Sequence, residues 1–192
     1  MIEQIKKQIS ESIQTKQELL QNHELLLNIQ KVAELSIKIY ADSGKMLLAG
    51  NGGSAADAQH IAAELVGRYA FDRASLSAIA LTTDTSALTA IGNDYGYDQI
   101  FSRQLEGLGS SGDIFIGIST SGNSRNIINA FKSAKQKKIT TVALTGRDGG
   151  EMAKISDISI VVPSSQTPRI QEAHILIGHI LCDIIEREIF CD

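Results

Sequence analysis

Apolar residues recur at threes and fours from the start of the chain: Ile2, Ile5, Ile9 and Ile13, then a stripe from Leu19 to Tyr40 opposite a polar face. That period is helical and predicts a helical arm over residues 2–42, unbroken by proline, with a bend near Gln21–His23. From Lys45 the pattern changes. Short apolar runs at Lys45–Ala49, Ser77–Leu81, Asp113–Ser119, Thr140–Leu144 and Ile158–Val162 read as strands. Helical patterns lie among them at Ser54–Val66, Thr85–Ile91, Tyr97–Leu108 and Arg125–Lys137, and a last one runs Pro168–Phe190. The run Ile114-Phe115-Ile116-Gly117-Ile118 has no polar position, as a strand covered on both faces requires. The expected fold is a doubly wound, three-layer αβα domain with a parallel sheet of about five strands. Residues 1–43 form its arm and residues 44–192 its sheet domain. The arm's apolar stripe exceeds what one small domain needs, which points to packing on a second subunit.

Composition narrows the class. A chain of 192 residues, 43% hydrophobic, suits one domain with a full core rather than a disordered segment. No apolar run approaches the roughly 20 residues that span a bilayer, so no membrane partner is expected. The N-terminal MIEQIKKQISESIQTKQELL lacks a signal peptide's apolar block, and the expected location is the cytoplasm. A net charge of −4 speaks against nucleic acid as a general partner. An anionic ligand must therefore be drawn by local donors. Cys182 and Cys191 supply neither a disulfide framework nor a thiolate zinc site, and Cys182 lies in an apolar helical pattern that reads as core.

The chemistry concentrates in turns that follow strands, where open α/β sheets bind ligands. In Lys45–Gly67, an apolar strand runs into Gly50-Asn51-Gly52-Gly53-Ser54, and a helix should begin near Ser54. Its glycines let backbone approach a ligand while the helix start offers free N–H groups. Further along that helix His60 and Glu64 are four residues apart and share one face. Such a pair serves as metal ligands or as an acid–base couple. A loose dinucleotide fingerprint, Gly50-x-Gly52-x-x-Ala55, lacks the acidic residue near Leu81 that would hold a ribose.

A second turn, Ser119-Thr120-Ser121-Gly122-Asn123-Ser124, gathers four hydroxyls at a helix start. One hydroxyl suffices for a cap, so four point to a phosphate. Asn93 and Asp94, after a short helix ending at Gly92, fit either a turn or sugar-hydroxyl binding. In the last helix Gln171 and His179 are polar among apolar neighbours, and His179 finds partners in His60 and Glu64. His174 reads as packing or support, His23 as structural. Gln171 and His179 are about 12 Å apart along a helix. They reach one ion only at full stretch or from different subunits, so the site is expected at a subunit interface.

The segments GNGGSAADAQHIAAELVGRY (Gly50–Tyr69), STSGNS (Ser119–Ser124), LTGRDGG (Leu144–Gly150) and TPRIQEAH (Thr167–His174) resemble the phosphoheptose isomerases, enzymes of the sugar isomerase (SIS) fold group. The likeness covers almost the whole chain, with no departure at ligand or phosphate positions. It implies conversion of sedoheptulose 7-phosphate to D-glycero-D-manno-heptose 7-phosphate, the first step towards the heptose of lipopolysaccharide or capsule. It also implies a homotetramer with sites between subunits. One Zn2+ per subunit would be held by His60, Glu64, Gln171 and His179. Substrate contacts would be Asn51, Gly52, Gly53, Glu64, Asn93, Asp94, Ser119, Thr120, Ser121, Ser124 and Gln171, with Ser54 and Thr167 nearby. Arg169 is not expected to be a contact. Glu64 would be the base and His179 the acid of an enediol mechanism. A zinc-bound carboxylate is a poorer base, which leaves open whether Glu64 leaves the metal or zinc is structural. Two alternatives stand beside this reading. One is a non-catalytic relative of the fold group that binds the replication initiator, which lacks the acid at Glu64 and the imidazole at His179. The other is an SIS protein for another sugar phosphate.

Overall fold

The computed structural model describes residues 1–191. The arm is two helices, α1 (Ile2–Gln21) and α2 (His23–Ala41), parted at Asn22. Asn22 adopts an extended conformation and its side-chain oxygen accepts from Leu25 N, so the expected bend is a helix N-cap. Then follow β1 (Met46–Gly50), α3 (Gly53–Val66), β2 (Ala78–Ala80) and α4 (Thr85–Tyr95). A 3-10 turn at Tyr97–Gln99 leads into α5 (Ile100–Leu108), then β3 (Ile114–Ser119) and α6 (Arg125–Gln136). The chain closes with β4 (Thr140–Gly146), α7 (Gly150–Ile155), β5 (Ile158–Val162) and α8 (Thr167–Phe190).

The five strands are all parallel, in the order β2-β1-β3-β4-β5. Period-two geometry sends alternate side chains to opposite faces. Met46, Leu48, Ile114, Ile116, Val142 and Ile160 therefore pack under α2, α3 and α8. Leu47, Ala49, Phe115 and Ala143 pack under α5, α6 and the Met152 of α7. The three-layer αβα reading is correct.

One boundary and one additional helix differ from expectation in ways that matter. Helix α4 does not end at Gly92 but runs through Asn93 and Asp94 to Tyr95, and Gly96, with φ +87°, breaks it. Helix α7 carries no sequence signal of its own, because six residues are too few to show a period.

Candidate active site at the β1–β3 crevice

β1 and β3 are hydrogen-bonded neighbours, yet the chain leaves β1 towards α3 on one face and β3 towards α6 on the other. That divergence opens a crevice beyond their carboxyl ends, where this architecture binds ligands. Gly52 occupies the α3 N-cap position at φ +56°, ψ −121°, a conformation that side chains resist. On the opposite side Gly122 stands at φ +66°, and a Cβ there would collide with the Gly149 carbonyl. The hydroxyl turn is thus clamped against α7: Met152 N donates to Gly122 O at 2.9 Å and Glu151 N to Asn123 Oδ1 at 3.1 Å.

Between the two turns lies a cavity of about 160 Å³ lined by Asn51, Ser54, Ile118, Ser119, Thr120, Ser121, Ser124 and Gln171. All four predicted hydroxyls reach it. Ser124 stands at the α6 N-cap position but makes no capping bond; its Oγ lies 2.9 Å from Ser119 Oγ. The simple capping role is therefore excluded. Gln171 lies across the α3 start, its carboxamide occupying the space a side chain at Gly53 would need. A larger cavity of about 410 Å³ adjoins, lined by Asn51, Gly52, Ala55, Thr82, Leu88, Tyr97 and neighbours. Asn93 and Asp94 are exposed and line neither cavity; Asn93 Nδ2 donates to Asp94 Oδ1 at 2.8 Å. Thr167 is exposed at the first position of α8.

Farther along α3, His60 Nε2 lies 3.1 Å from Glu64 Oε1, and His179 Nε2 lies 3.1 Å from His60 Nε2. The three donor atoms fall within 4.8 Å of one another. Two imidazoles and a carboxylate aimed at one point suit a divalent cation with an open coordination position, zinc among them. Gln171, two helical turns from His179 on α8, belongs in this chain to the cradle side. Asp57, one turn before His60, is pushed up to about 6 by burial, against the pull of His60.

A buried ion pair fixes the end of α3. Glu186, two turns beyond His179 on α8, accepts from the backbone N–H groups of Tyr69, Ala70 and Phe71 and from Arg73 Nε at 2.8 Å. Arg73 in turn donates to the carbonyls of Glu64, Leu65 and Gly67. The Tyr69 ring consequently sits 5.8 Å, centroid to centroid, from that of His179. Burial would raise the Glu186 carboxyl, but these donors prevail and hold it below the usual range. Arg169 faces away from the crevice, donating to Gln8 O of the arm and to Glu172. His174 is buried against Thr145 O at 2.9 Å.

Motif spacing does not reveal Tyr69, Tyr97 or Asn126, and the motif reading leaves out Asp57. Only Asp57 had a usable signal, its i, i+3 relation to His60.

The SIS domain profile matches residues 3–146. The chain is 70% identical over 188 residues to the phosphoheptose isomerase of Sulfurimonas denitrificans, covering 98% of this chain and 96% of that one. It is 58% identical over 190 residues to that of Aneurinibacillus thermoaerophilus, covering 99% and 96%. The solved phosphoheptose isomerase from Neisseria gonorrhoeae superimposes with a TM-score of 0.90 at 50% identity, covering 96% of this chain and 97% of that chain.

Proposed function

The chain belongs to the phosphoheptose isomerase family of SIS-domain proteins, and we propose that it converts sedoheptulose 7-phosphate to D-glycero-D-manno-heptose 7-phosphate. It is an aldose–ketose isomerase. The observation that carries the substrate reading is a single helix joining two functions. The start of α3 borders the hydroxyl-lined cradle, and its middle presents His60 and Glu64 to His179.

The cradle holds the phosphate through the hydroxyls of Ser119, Thr120, Ser121 and Ser124, at the converging starts of α3 and α6. The anchored sugar extends towards the His60–Glu64–His179 cluster; Asn93 and Asp94, which line neither cavity but directly follow Gly92 of the larger one, would offer polar groups to its hydroxyls from the rim. Glu64 removes the proton from C1 while the C2 carbonyl oxygen takes one up, giving an enediol; His179 then delivers a proton to C2 as the C1 hydroxyl gives up its own, leaving the aldehyde. His60, Glu64 and His179 would hold zinc, with Gln171 as a fourth donor reaching across a subunit boundary. When bound, the ion would polarise the carbonyl and favour the open-chain sugar. This reading includes a homotetramer, a cytoplasmic location and supply of heptose to lipopolysaccharide or capsule. Both Glu64 and His179 are present, and the relatives at 70% and 58% identity carry the isomerase name, which sets aside the non-catalytic alternative.

The test is conversion of sedoheptulose 7-phosphate followed by NMR, wild type beside Glu64→Gln. Turnover by wild type and a loss of about 100-fold or more in a correctly assembled variant are expected, since general-base groups contribute roughly 10²–10⁴-fold. Full activity in Glu64→Gln would remove Glu64 from the chemistry. An idle, metal-replete wild type would point to a different sugar phosphate.

A further inference from the structure

At the boundary of the two cavities stands Asn51, whose carboxamide is held by two residues no motif singles out. Asn126, in the first turn of α6, is only 3% exposed. Its Oδ1 accepts from Ile127 N at 3.0 Å. A backbone N–H cannot reverse its polarity, so this bond fixes which end of the Asn126 amide is oxygen. The remaining end, Nδ2, donates to Asn51 Oδ1 at 2.8 Å, while Asn51 Nδ2 donates back to Asn126 Oδ1 at 3.0 Å. The orientation of one amide thereby dictates that of the next. The Tyr97 hydroxyl then donates to Asn51 Oδ1 at 2.8 Å.

A carboxamide oxygen offers two lone pairs, and both are now taken. Of the two N–H groups on Asn51 Nδ2, one is committed to Asn126. One N–H is left. We propose that Asn126 and Tyr97 are positioning residues that hold Asn51 as a dedicated hydrogen-bond donor, so that it meets an acceptor oxygen of the sugar phosphate and rejects a donor there. This rests on the sugar-phosphate reading above and deepens it. An unrestrained Asn51 could rotate its amide and present oxygen to the anion, which repels rather than binds. Tyr97 is 62% exposed and its bond spans from the 3-10 turn to the β1–α3 turn, so the restraint also ties together the walls of the larger cavity.

The experiment is a double-mutant cycle of Asn51→Ala and Asn126→Ala, with Tyr97→Phe as a variant whose exposed hydroxyl has no part in the core. Two readouts are taken: steady-state kinetics on sedoheptulose 7-phosphate, and calorimetric titration with inorganic phosphate. Losing one well-placed hydrogen bond to an anion should raise KM and the phosphate Kd about tenfold in Asn126→Ala. In Tyr97→Phe the rise should be about threefold, with kcat within about twofold in both, because an anchoring contact acts on ground and transition states alike. In an Asn51→Ala background neither substitution should add anything. A merely structural role would lower melting temperature and kcat while leaving KM and the cycle additive. Additive effects, or an unchanged phosphate affinity in Asn126→Ala, would overturn the inference. Should wild type prove idle on the heptulose while the phosphate cycle shows the coupling, the substrate reading fails and the positioning role stands.

Discussion

Gly53 controls the cradle through an absent carbon. A Cβ at that position would stand on the Gln171 carboxamide, the far end of a flexible side chain, so the side chain gives way rather than the backbone. Gly53→Ala should therefore fold with a melting temperature near wild type. It should nonetheless lose on the order of 100-fold in kcat/KM, because a displaced polar group of about 1 Å is costly in a site. Kinetics run beside a thermal melt check both halves. His174 makes a different kind of prediction. Burial pulls it down to about 4, against the opposing bond to Thr145 O, so it is neutral when folded at pH 7. In the unfolded chain it takes a proton near 6.5, so between these values the unfolded state binds more protons and stability falls with falling pH. The loss is complete below the folded value and amounts to ~3 kcal/mol. Urea unfolding at pH 7.5 and pH 4.5 should show this acid limb flattened in His174→Leu.

Helix α3 works as a unit only because its end is tied to α8. Arg73 and Glu186 have side chains 2% and 0% exposed, and together they satisfy three backbone carbonyls and three N–H groups between Glu64 and Phe71. The same pair sets the spacing of Glu64 on one helix from His179 on the other. Removing the cation leaves a buried carboxylate uncompensated, so Arg73→Met should cost about 3–5 kcal/mol in urea unfolding. Glu186 is held below the ordinary carboxylate range, so its stabilisation is present above the unfolded value and lost as pH falls through the folded one. An Arg73→Met protein as stable as wild type would show the pair to be dispensable. The hydroxyl turn has its own brace in α7, which packs Gly149 and Gly150 against Gly122.

At the scale of the whole molecule, α1 is the unfinished surface. Ile2, Ile5, Ile9 and Ile13 are 67%, 53%, 55% and 52% exposed, in a row along one helix face. Leu19 and Thr15 are already buried, and Arg169 anchors the arm to α8 through Gln8. The stripe is therefore held rigidly and left open, which suits a neighbouring subunit. Ile5→Asp with Ile9→Asp should shift the proposed tetramer to a smaller species in sedimentation velocity. Activity should fall with it, since the proposed fourth ligand comes from across the boundary. A particle of unchanged mass would place any subunit interface elsewhere.

Hydrophobic period alone determined the layer architecture, because burial on two faces and burial on one leave different patterns. It placed all five strands and the hydroxyl turn. The helical i, i+4 relation placed His60 with Glu64, since local geometry follows from covalent spacing. Other features needed the tertiary structure. The end of α4 depended on the backbone of Gly96 rather than on any apolar repeat, and α7 was too short to have a period. His179 meets His60 across 119 positions, as their shared donor chemistry and the family resemblance lead one to expect, whereas Asn126 meets Asn51 across 75 with no such sign. Arg73 meets Glu186 across 113. Contacts of that separation are set by how the sheet orders its strands and which face each helix covers. A side chain's neighbours along the chain carry no trace of them. The sequence could say that a glycine-rich turn and a His/Glu pair share one helix, but the fold decided what holds each in place.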